Sequence, residues 1–115
     1  MTPRIYHNPN CSTSRKVLTA LREAGHEPEV IEYLKTPPSK AKIKDLLKRM
    51  KLRPRELLRK KGTPYDELGL HDQRWTDEDI IDLMHKHPVL IERSIVETDK
   101  GTQLCRPPEK LNEIL

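Results

Sequence analysis

Two kinds of hydrophobic segment alternate along this chain: short apolar runs, and longer stretches whose apolar residues recur at helical spacing. The run at residues 5–7 stops at an Asn-Pro-Asn sequence, which predicts a strand followed by a loop. Residues 15–24 carry apolar positions three and four apart and are followed by Gly25, which predicts a helix ending at a glycine. Residues 29–34 predict a second strand, and this order indicates a right-handed crossover between parallel strands.

The middle of the chain is predicted to be mainly helical. Ser39 follows a double proline and is a suitable N-cap for a helix with a regular apolar stripe. Pro54 begins a short helix that is expected to end near residue 62. Thr76 stands three residues before an aspartate, the spacing of a capping box, and predicts a helix that ends at the His-Pro pair of residues 87–88. We therefore expect a helical insertion at about residues 39–86.

The C-terminal part predicts a hairpin and a last helix. Residues 95–98 and 102–105 flank an Asp-Lys-Gly turn, and a double proline at residues 107–108 begins the helix. Neither this hairpin nor the first strand–helix–strand unit buries a core by itself, so all four strands are expected to form one mixed sheet flanked by helices. The order β-α-β, helical insertion, β-β-α is that of an α/β, thioredoxin-like fold, expected as a single domain over residues 1–115.

Composition limits the partners of such a domain. Of the 115 residues, 34% are hydrophobic and 35% charged, so the core must be modest. The net charge of +4 allows an anionic partner, but acidic and basic residues are interspersed and no nucleic-acid motif accompanies them, so a nucleic acid is not expected. No run approaches the roughly 20 apolar residues of a membrane span, and the start leaves no room for a signal peptide, which predicts a cytoplasmic protein.

The loop at residues 7–15, His-Asn-Pro-Asn-Cys-Ser-Thr-Ser-Arg, carries the most distinctive chemistry. It places Cys11 at the start of a predicted helix, where unpaired N–H groups, the helix dipole and nearby cations lower the pKa of a thiol. The same geometry binds oxyanions. We interpret Cys11 as a nucleophilic thiolate beside an anion site rather than an inert buried cysteine. Ser14 is expected to donate to the thiolate or to cap the helix, and His7 either orients Cys11 or is merely the last strand residue.

The residues around Cys11 exclude several other chemistries. The sequence Cys-Ser-Thr-Ser lacks the second cysteine of a dithiol motif, so an external thiol is the expected resolving agent, with Cys105 as the alternative. A phosphatase loop, Cys-x5-Arg, would need an arginine where Val17 stands, and no Asp–His pair is placed for a serine nucleophile. Two cysteines and scattered histidines predict no metal site, so no bound cofactor is expected.

Three arginines stand out from the other basic residues because of the residues that precede them. Arg59 follows two leucines in a predicted helix, Arg93 ends an apolar segment, and Arg106 directly follows the last predicted strand. A guanidinium presents a fork of donors that suits a tetrahedral oxyanion. By composition alone, however, each would be an ordinary surface arginine.

The loop from Tyr6 to Arg15 resembles the active-site loop of the glutaredoxin-dependent arsenate reductases. The similarity continues over nearly the whole chain, at residues 33–38, 57–60, 64–70, 87–91 and 104–109. It implies a thioredoxin-like fold with a helical insertion, with Cys11 as the nucleophile and His7 as a group that helps to keep it ionised. The residues expected to bind arsenate or a similar small oxyanion are Ser14, Arg59, Arg93 and Arg106.

The resemblance also implies a reaction. Cys11 attacks arsenate to give a thiol–arsenate ester, glutathione displaces the arsenic, arsenite leaves, and glutaredoxin reduces the resulting Cys11–glutathione disulfide. Glutathione is then a co-substrate and glutaredoxin a partner. Cys105 matches a common family cysteine to which no essential role is assigned.

One residue departs from the family pattern. After the arginine that Arg93 matches, the family usually has a cis proline, and this chain has Ser94. The isomer of that bond, the placing of Arg93 and the docking of glutathione are therefore open. Two alternative functions also remain: a general glutathione-linked thiol oxidoreductase that is not specific for arsenate, and a non-catalytic regulator of the same fold that binds RNA polymerase. Regulators of that kind sense oxidation through a Cys-x-x-Cys pair, which is absent here.

Overall fold

The computed structural model describes residues 2–115 and contains a mixed four-stranded sheet. Its order is β2-β1-β3-β4, in which β1 pairs in parallel with β2 and antiparallel with β3, and β3 and β4 form the predicted hairpin. The strands are β1 (Arg4–His7), β2 (Glu29–Glu32), β3 (Ile95–Thr98) and β4 (Gly101–Leu104). The mixed sheet with its flanking helices confirms the predicted α/β, thioredoxin-like fold.

The chain forms two compact units. The sheet unit consists of residues 2–36 together with Arg93–Leu115, and the helical unit is Pro37–Glu92. The insertion predicted at about residues 39–86 lies within the helical unit. The expectation that the chain folds as a single domain stays a prediction.

The core of the sheet unit lies between the sheet and two helical segments. These segments are α1 (Ser12–Glu23) and the terminal 3₁₀ helix (Pro108–Ile114). Ile5 and Val96 stand opposite each other in the β1–β3 register and point to the same face of the sheet. The whole buried cluster consists of Ile5, Val17, Leu21, Val96, Cys105, Leu111 and Ile114. This core fixes α1, and with it the loop that carries the candidate nucleophile.

Several predicted boundaries of the sheet unit were wrong by a few residues. The strand predicted at residues 29–34 ends at Glu32, because the N–H groups of Lys35 and Thr36 both turn back to the Glu32 carbonyl, each at 2.9 Å. The predicted last strand ends at Leu104, one residue before Cys105. The first helix begins at Ser12 rather than residue 15, and the last is a 3₁₀ helix.

The helical unit contains α2 (Lys40–Met50) and α3 (Asp77–Lys86), with 3₁₀ helices at Pro54–Leu57 and Pro88–Leu90. The predicted caps are confirmed. The Ser39 hydroxyl accepts the N–H of Lys42, and Thr76 and Asp79 form the reciprocal capping box, with distances of 3.1 and 3.0 Å. Satisfying these N–H groups fixes where both helices begin.

Ion pairs join the two long helices of the helical unit. Lys40 pairs with Asp82, and Lys44 pairs with Glu78, each at 2.9 Å. Both pairs are exposed, so each contributes little to stability. The apolar side chains fully buried in this unit therefore supply most of its stability: Ile43, Leu46, Leu57, Leu70, Ile80, Met84 and Leu90. Among the described residues, no helix has the length and apolar character of a membrane span.

Candidate active site

Cys11 occupies the N-cap of α1, as predicted. Its backbone is extended, its carbonyl accepts the N–H of Arg15 at 3.0 Å, and its own N–H donates to the Asn8 carbonyl at 3.1 Å. The Asn8 side chain also accepts the N–H of Asn10, which closes the turn before the helix. The first turn of α1 contains no acidic residue. The half-buried thiol therefore faces the positive end of the helix dipole without a competing carboxylate.

The Cys11 thiol has a cationic partner from the opposite end of the sequence. Arg93 Nε lies 3.2 Å from Cys11 Sγ, and backbone N–H groups of Ser14 and Thr13 also face the sulfur. Partial burial alone would raise the pKa of Cys11. The hydrogen bonds from the Ser14 N–H and the Arg93 guanidinium outweigh that effect, so the pKa of Cys11 lies below that of an ordinary cysteine. The arrangement favours a thiolate.

His7 does not contact the thiol but joins a buried hydroxyl network. His7 Nδ1 lies 2.8 Å from Ser14 Oγ, which also accepts the N–H of Asn8 at 3.0 Å and lies 2.6 Å from Ser94 Oγ. Ser14 and Ser94 are completely buried and His7 is 5% exposed. The connection from His7 to Cys11 therefore passes through Ser14, whose hydroxyl faces His7 while its N–H faces the sulfur.

The surroundings of His7 disfavour its charged form. Burial lowers the pKa of His7; the Glu32 carboxylate acts in the opposite direction, and the cations Arg22 and Arg15 add to the lowering. His7 is therefore mainly neutral near pH 7. The role implied for it by the family resemblance, keeping Cys11 ionised, stays a prediction.

Arg106 lies at the edge of a groove beside the first turn of α1. The groove has a volume of about 410 Å³ and is lined by Thr13, Arg106, Pro107 and Pro108. Arg106 is exposed, and the peptide bond to Pro107 is cis. Thr13 also faces Cys11 through its N–H group, so the groove and the thiol share the first turn of the helix.

Arg59 belongs to the helical unit. The sequence placed it in a helix, but it follows the 3₁₀ helix at Pro54–Leu57 in an extended segment. Its N–H donates to the Leu90 carbonyl at 2.8 Å, and its side-chain Nε donates to the Lys61 carbonyl at 3.1 Å. The side chain is half-buried within that unit. Its participation in an oxyanion site stays a prediction.

Cys105 is unsuited to resolving an intermediate on Cys11. It is completely buried in the core of the sheet unit, and this burial raises the pKa of its thiol to about 12. Both cysteines are free thiols. Within residues 2–115, no cluster of three or more histidine, cysteine or acidic side chains is suited to a metal ion.

The sequence did not identify two residues near the thiol as site residues. These are Asn8 and Ser94. Ser94 was considered only as a departure from a family pattern. Its hydroxyl reaches Ser14 over 80 residues of sequence, and the bond between Arg93 and Ser94 is cis. Arg15, counted among the cations near the thiol, instead donates to the Pro9 carbonyl at 2.8 Å. Local sequence patterns do not predict a contact between residues so far apart in the chain.

Comparison with known proteins identifies relatives of the whole chain. A family model described as the ArsC family matches residues 6–114. An arsenate reductase of Rhizobium meliloti (strain 1021) is 50% identical over 115 residues, which are 100% of this chain and 82% of that protein. One from Escherichia coli is 51% identical over 111 residues, 96% of this chain and 79% of that protein. The solved arsenate reductase from Vibrio cholerae is 42% identical, with a TM-score of 0.95, and the match covers 100% of this chain and 98% of that one.

Proposed function

Because the chain belongs to the ArsC family, we propose that it is an oxidoreductase that reduces arsenate to arsenite, with Cys11 as the nucleophile. The observation that carries this proposal is the position of Arg93 Nε, 3.2 Å from Cys11 Sγ at the N-terminus of α1. A guanidinium in that place favours the thiolate and also attracts an oxyanion to it. The nucleophile and the charge that recruits its substrate are then adjacent.

The first step forms a bond between sulfur and arsenic. The Cys11 thiolate attacks arsenate, one arsenate oxygen leaves as water after protonation, and a thiol–arsenate ester of As(V) results. The N–H groups of Ser14 and Thr13 and the Arg93 guanidinium, which face the sulfur, lie where the remaining arsenate oxygens would be accommodated. We propose that Ser14 contributes through its N–H, because its hydroxyl is engaged with His7, Asn8 and Ser94.

The second step transfers two electrons. The thiolate of glutathione attacks Cys11 Sγ, a sulfur–sulfur bond forms, and the electron pair of the sulfur–arsenic bond stays on arsenic. Arsenic is thereby reduced from As(V) to As(III) and leaves as arsenite. Glutaredoxin then restores Cys11 by thiol–disulfide exchange. An external thiol is needed because Cys105 is buried and its pKa is raised to about 12.

We propose that glutathione enters along the groove lined by Thr13, Arg106, Pro107 and Pro108. The groove is about 410 Å³ in volume and shares the first turn of α1 with the thiol. In this proposal the guanidinium of Arg106 attracts a glutathione carboxylate or the arsenate itself. By its match to the family, we propose Arg59 as a further oxyanion-binding residue. Because glutathione is kept reduced in the cytoplasm, we place the protein there as part of the same proposal.

The proposal is tested by NADPH oxidation that depends on arsenate, coupled through glutathione reductase, glutathione and glutaredoxin. Wild-type protein is compared with Cys11→Ser and with the matched control Cys105→Ser. We expect turnover to disappear in Cys11→Ser and to persist in Cys105→Ser. Turnover that survives in Cys11→Ser would overturn the mechanism.

The two alternative functions correspond to other outcomes of the same comparison. A general thiol oxidoreductase would show no arsenate-dependent turnover, yet its Cys11–glutathione disulfide would still be reduced by glutaredoxin. A regulator would show neither activity and would bind RNA polymerase in stoichiometric amounts. A guanidinium against the thiol would also activate a general thiol oxidoreductase. We prefer the reductase because the ArsC family model matches residues 6–114 and an arsenate reductase is 50% identical over the whole chain.

A further inference from the structure

Ser94 joins the segments that carry the chemistry of the sheet unit. Its hydroxyl lies 2.6 Å from Ser14 Oγ in the first turn of α1, and its carbonyl accepts the N–H of Cys105 at 2.8 Å. Arg93 precedes it directly and Arg106 follows Cys105. One completely buried residue therefore touches the segments that carry the nucleophile and the two candidate oxyanion-binding arginines of this unit, Arg93 and Arg106.

The hydrogen bond between Ser94 and Ser14 connects two groups that act on the same atom. Ser14 belongs to the helical turn whose N–H groups face Cys11 Sγ, while Arg93 approaches that sulfur from the segment before β3. Both hydroxyls are inaccessible to solvent, so water does not replace the bond if it is removed. Ser94 is therefore hydrogen-bonded to one of these groups and covalently joined to the other.

Hydrogen-bond capacity defines the direction of this network. Ser14 Oγ has two lone pairs and one proton. The Asn8 N–H uses one lone pair and the Ser94 hydroxyl donates to the other, so the Ser14 proton is directed to His7 Nδ1. Every hydroxyl proton in the chain from Ser94 to Ser14 to His7 then has an acceptor, and the three side chains hold one another in a single arrangement.

We propose that Ser94 is a positioning residue for the thiolate: through its hydroxyl bond to Ser14 it holds Arg93 against Cys11. The inference rests on the proposed function only in taking Cys11 as the nucleophile. It requires neither arsenate nor glutathione, so it can be tested separately from turnover.

The test measures the rate at which iodoacetamide alkylates Cys11 as a function of pH, in the full chain. Ser94→Ala is expected to slow alkylation near neutral pH about 3- to 10-fold, the effect of losing one ordinary hydrogen bond, and to move the pH profile upward. Alkylation at high pH, where every thiol is ionised, should be unchanged. Because unfolding would move the profile in the same direction, the urea transition of Ser94→Ala is measured as well and should remain cooperative, with the protein folded under the alkylation conditions.

Two further variants make the result specific. In the Arg93→Ala background, Ser94→Ala should have no additional effect, because the residue that it positions is gone. Thr102→Ala removes another buried hydroxyl from the sheet unit and should leave the Cys11 profile unchanged. An unchanged profile in Ser94→Ala, an equal slowing in the Arg93→Ala background, or an equal slowing in Thr102→Ala would each overturn the proposal.

Discussion

Arg93 Nε lies 3.2 Å from Cys11 Sγ, although the two residues are 82 positions apart in the sequence. The contact exists because β3, which follows Arg93, pairs with β1, which leads into the loop that carries Cys11. The sheet therefore brings a cation from the C-terminal part of the chain to the start of α1. The account of the reaction begins from this contact.

Replacing Arg93 should reduce the fraction of Cys11 that is ionised at neutral pH. Arg93→Ala removes a charge-assisted hydrogen bond to Cys11, an interaction of about 1.5–3 kcal/mol, so alkylation of Cys11 at neutral pH should slow roughly 10- to 100-fold. Arg93→Lys keeps the charge without the guanidinium donor and should fall between Arg93→Ala and wild type. The matched control is Arg74→Ala, since Arg74 pairs with Asp72 at an exposed position of the helical unit. Equal rates in wild type and Arg93→Ala would contradict the proposed role of the contact.

The reactivity of Cys11 should persist below the pH at which an ordinary thiol loses it. The pKa of Cys11 is lowered because the Ser14 N–H and the Arg93 guanidinium outweigh the effect of burial. The alkylation rate should therefore fall at a lower pH in the folded protein than in the same protein unfolded in urea. A profile that coincides with the unfolded reference would show that the thiol is not activated.

The same shift links Cys11 to stability. Since its pKa is lower in the folded state than in the unfolded state, the ionised thiol stabilises the fold fully above the unfolded pKa, and this contribution is lost as pH falls through the folded pKa. Urea denaturation of wild type and Cys11→Ser, repeated at pH values between the folded and unfolded pKa of Cys11, measures this contribution. The stability difference between the two proteins should shift in favour of wild type as pH rises.

His7 should be neutral near pH 7, with its proton on Nε2. Its pKa is lowered chiefly by burial, and its Nδ1 accepts the Ser14 proton in the arrangement that satisfies the buried hydroxyls. Nitrogen-15 chemical shifts of the imidazole ring distinguish the two tautomers and the cation. Protonated Nδ1 at neutral pH would contradict the assigned direction of the network.

The terminal 3₁₀ helix should be essential to the core of the sheet unit. Leu111 is 2% exposed and packs in the cluster with Ile5 and Val96, so Leu111→Ala should lower the free energy of unfolding by about 2–5 kcal/mol. Leu34→Ala is the matched control, because that side chain is 41% exposed and its loss leaves no cavity. Chemical denaturation of the two variants should show a large difference between them. Equal stabilities would contradict the assignment of the terminal 3₁₀ helix to the core.

Local sequence was sufficient to predict most elements of the fold. Thr76 and Asp79 are three residues apart, and their reciprocal bonds are decided within one helical turn, so the capping box was identifiable. The hairpin of β3 and β4 was also predictable, because its two strands are joined by a short turn. The end of β2 was missed because two N–H groups turn back to the Glu32 carbonyl, and the apolar residues beyond that point have the composition of a strand. The predicted parallel pairing followed from the length of the crossover.

Only part of the candidate site could be predicted from the sequence. His7 ends β1 and Cys11 follows four positions later, so a link between them could be expected, although it passes through Ser14. The contacts of Arg93 with Cys11 and of Ser94 with Ser14 depend on the pairing of β1 with β3, over separations of 82 and 80 residues. A serine after an arginine carries no periodic or motif signal. Its importance follows from its complete burial and from the bond of its hydroxyl to Ser14.

The most direct test of the central claim is intact-protein mass spectrometry after anaerobic incubation with arsenate and glutathione, without glutaredoxin. We expect one glutathionyl group per chain, located on Cys11 by peptide mapping, and only when arsenate is present as the oxidant. Cys105→Ser should give the same adduct and Cys11→Ser none. An adduct on Cys105, or one on Cys11 that forms equally without arsenate, would contradict the claim that Cys11 passes electrons from glutathione to arsenate.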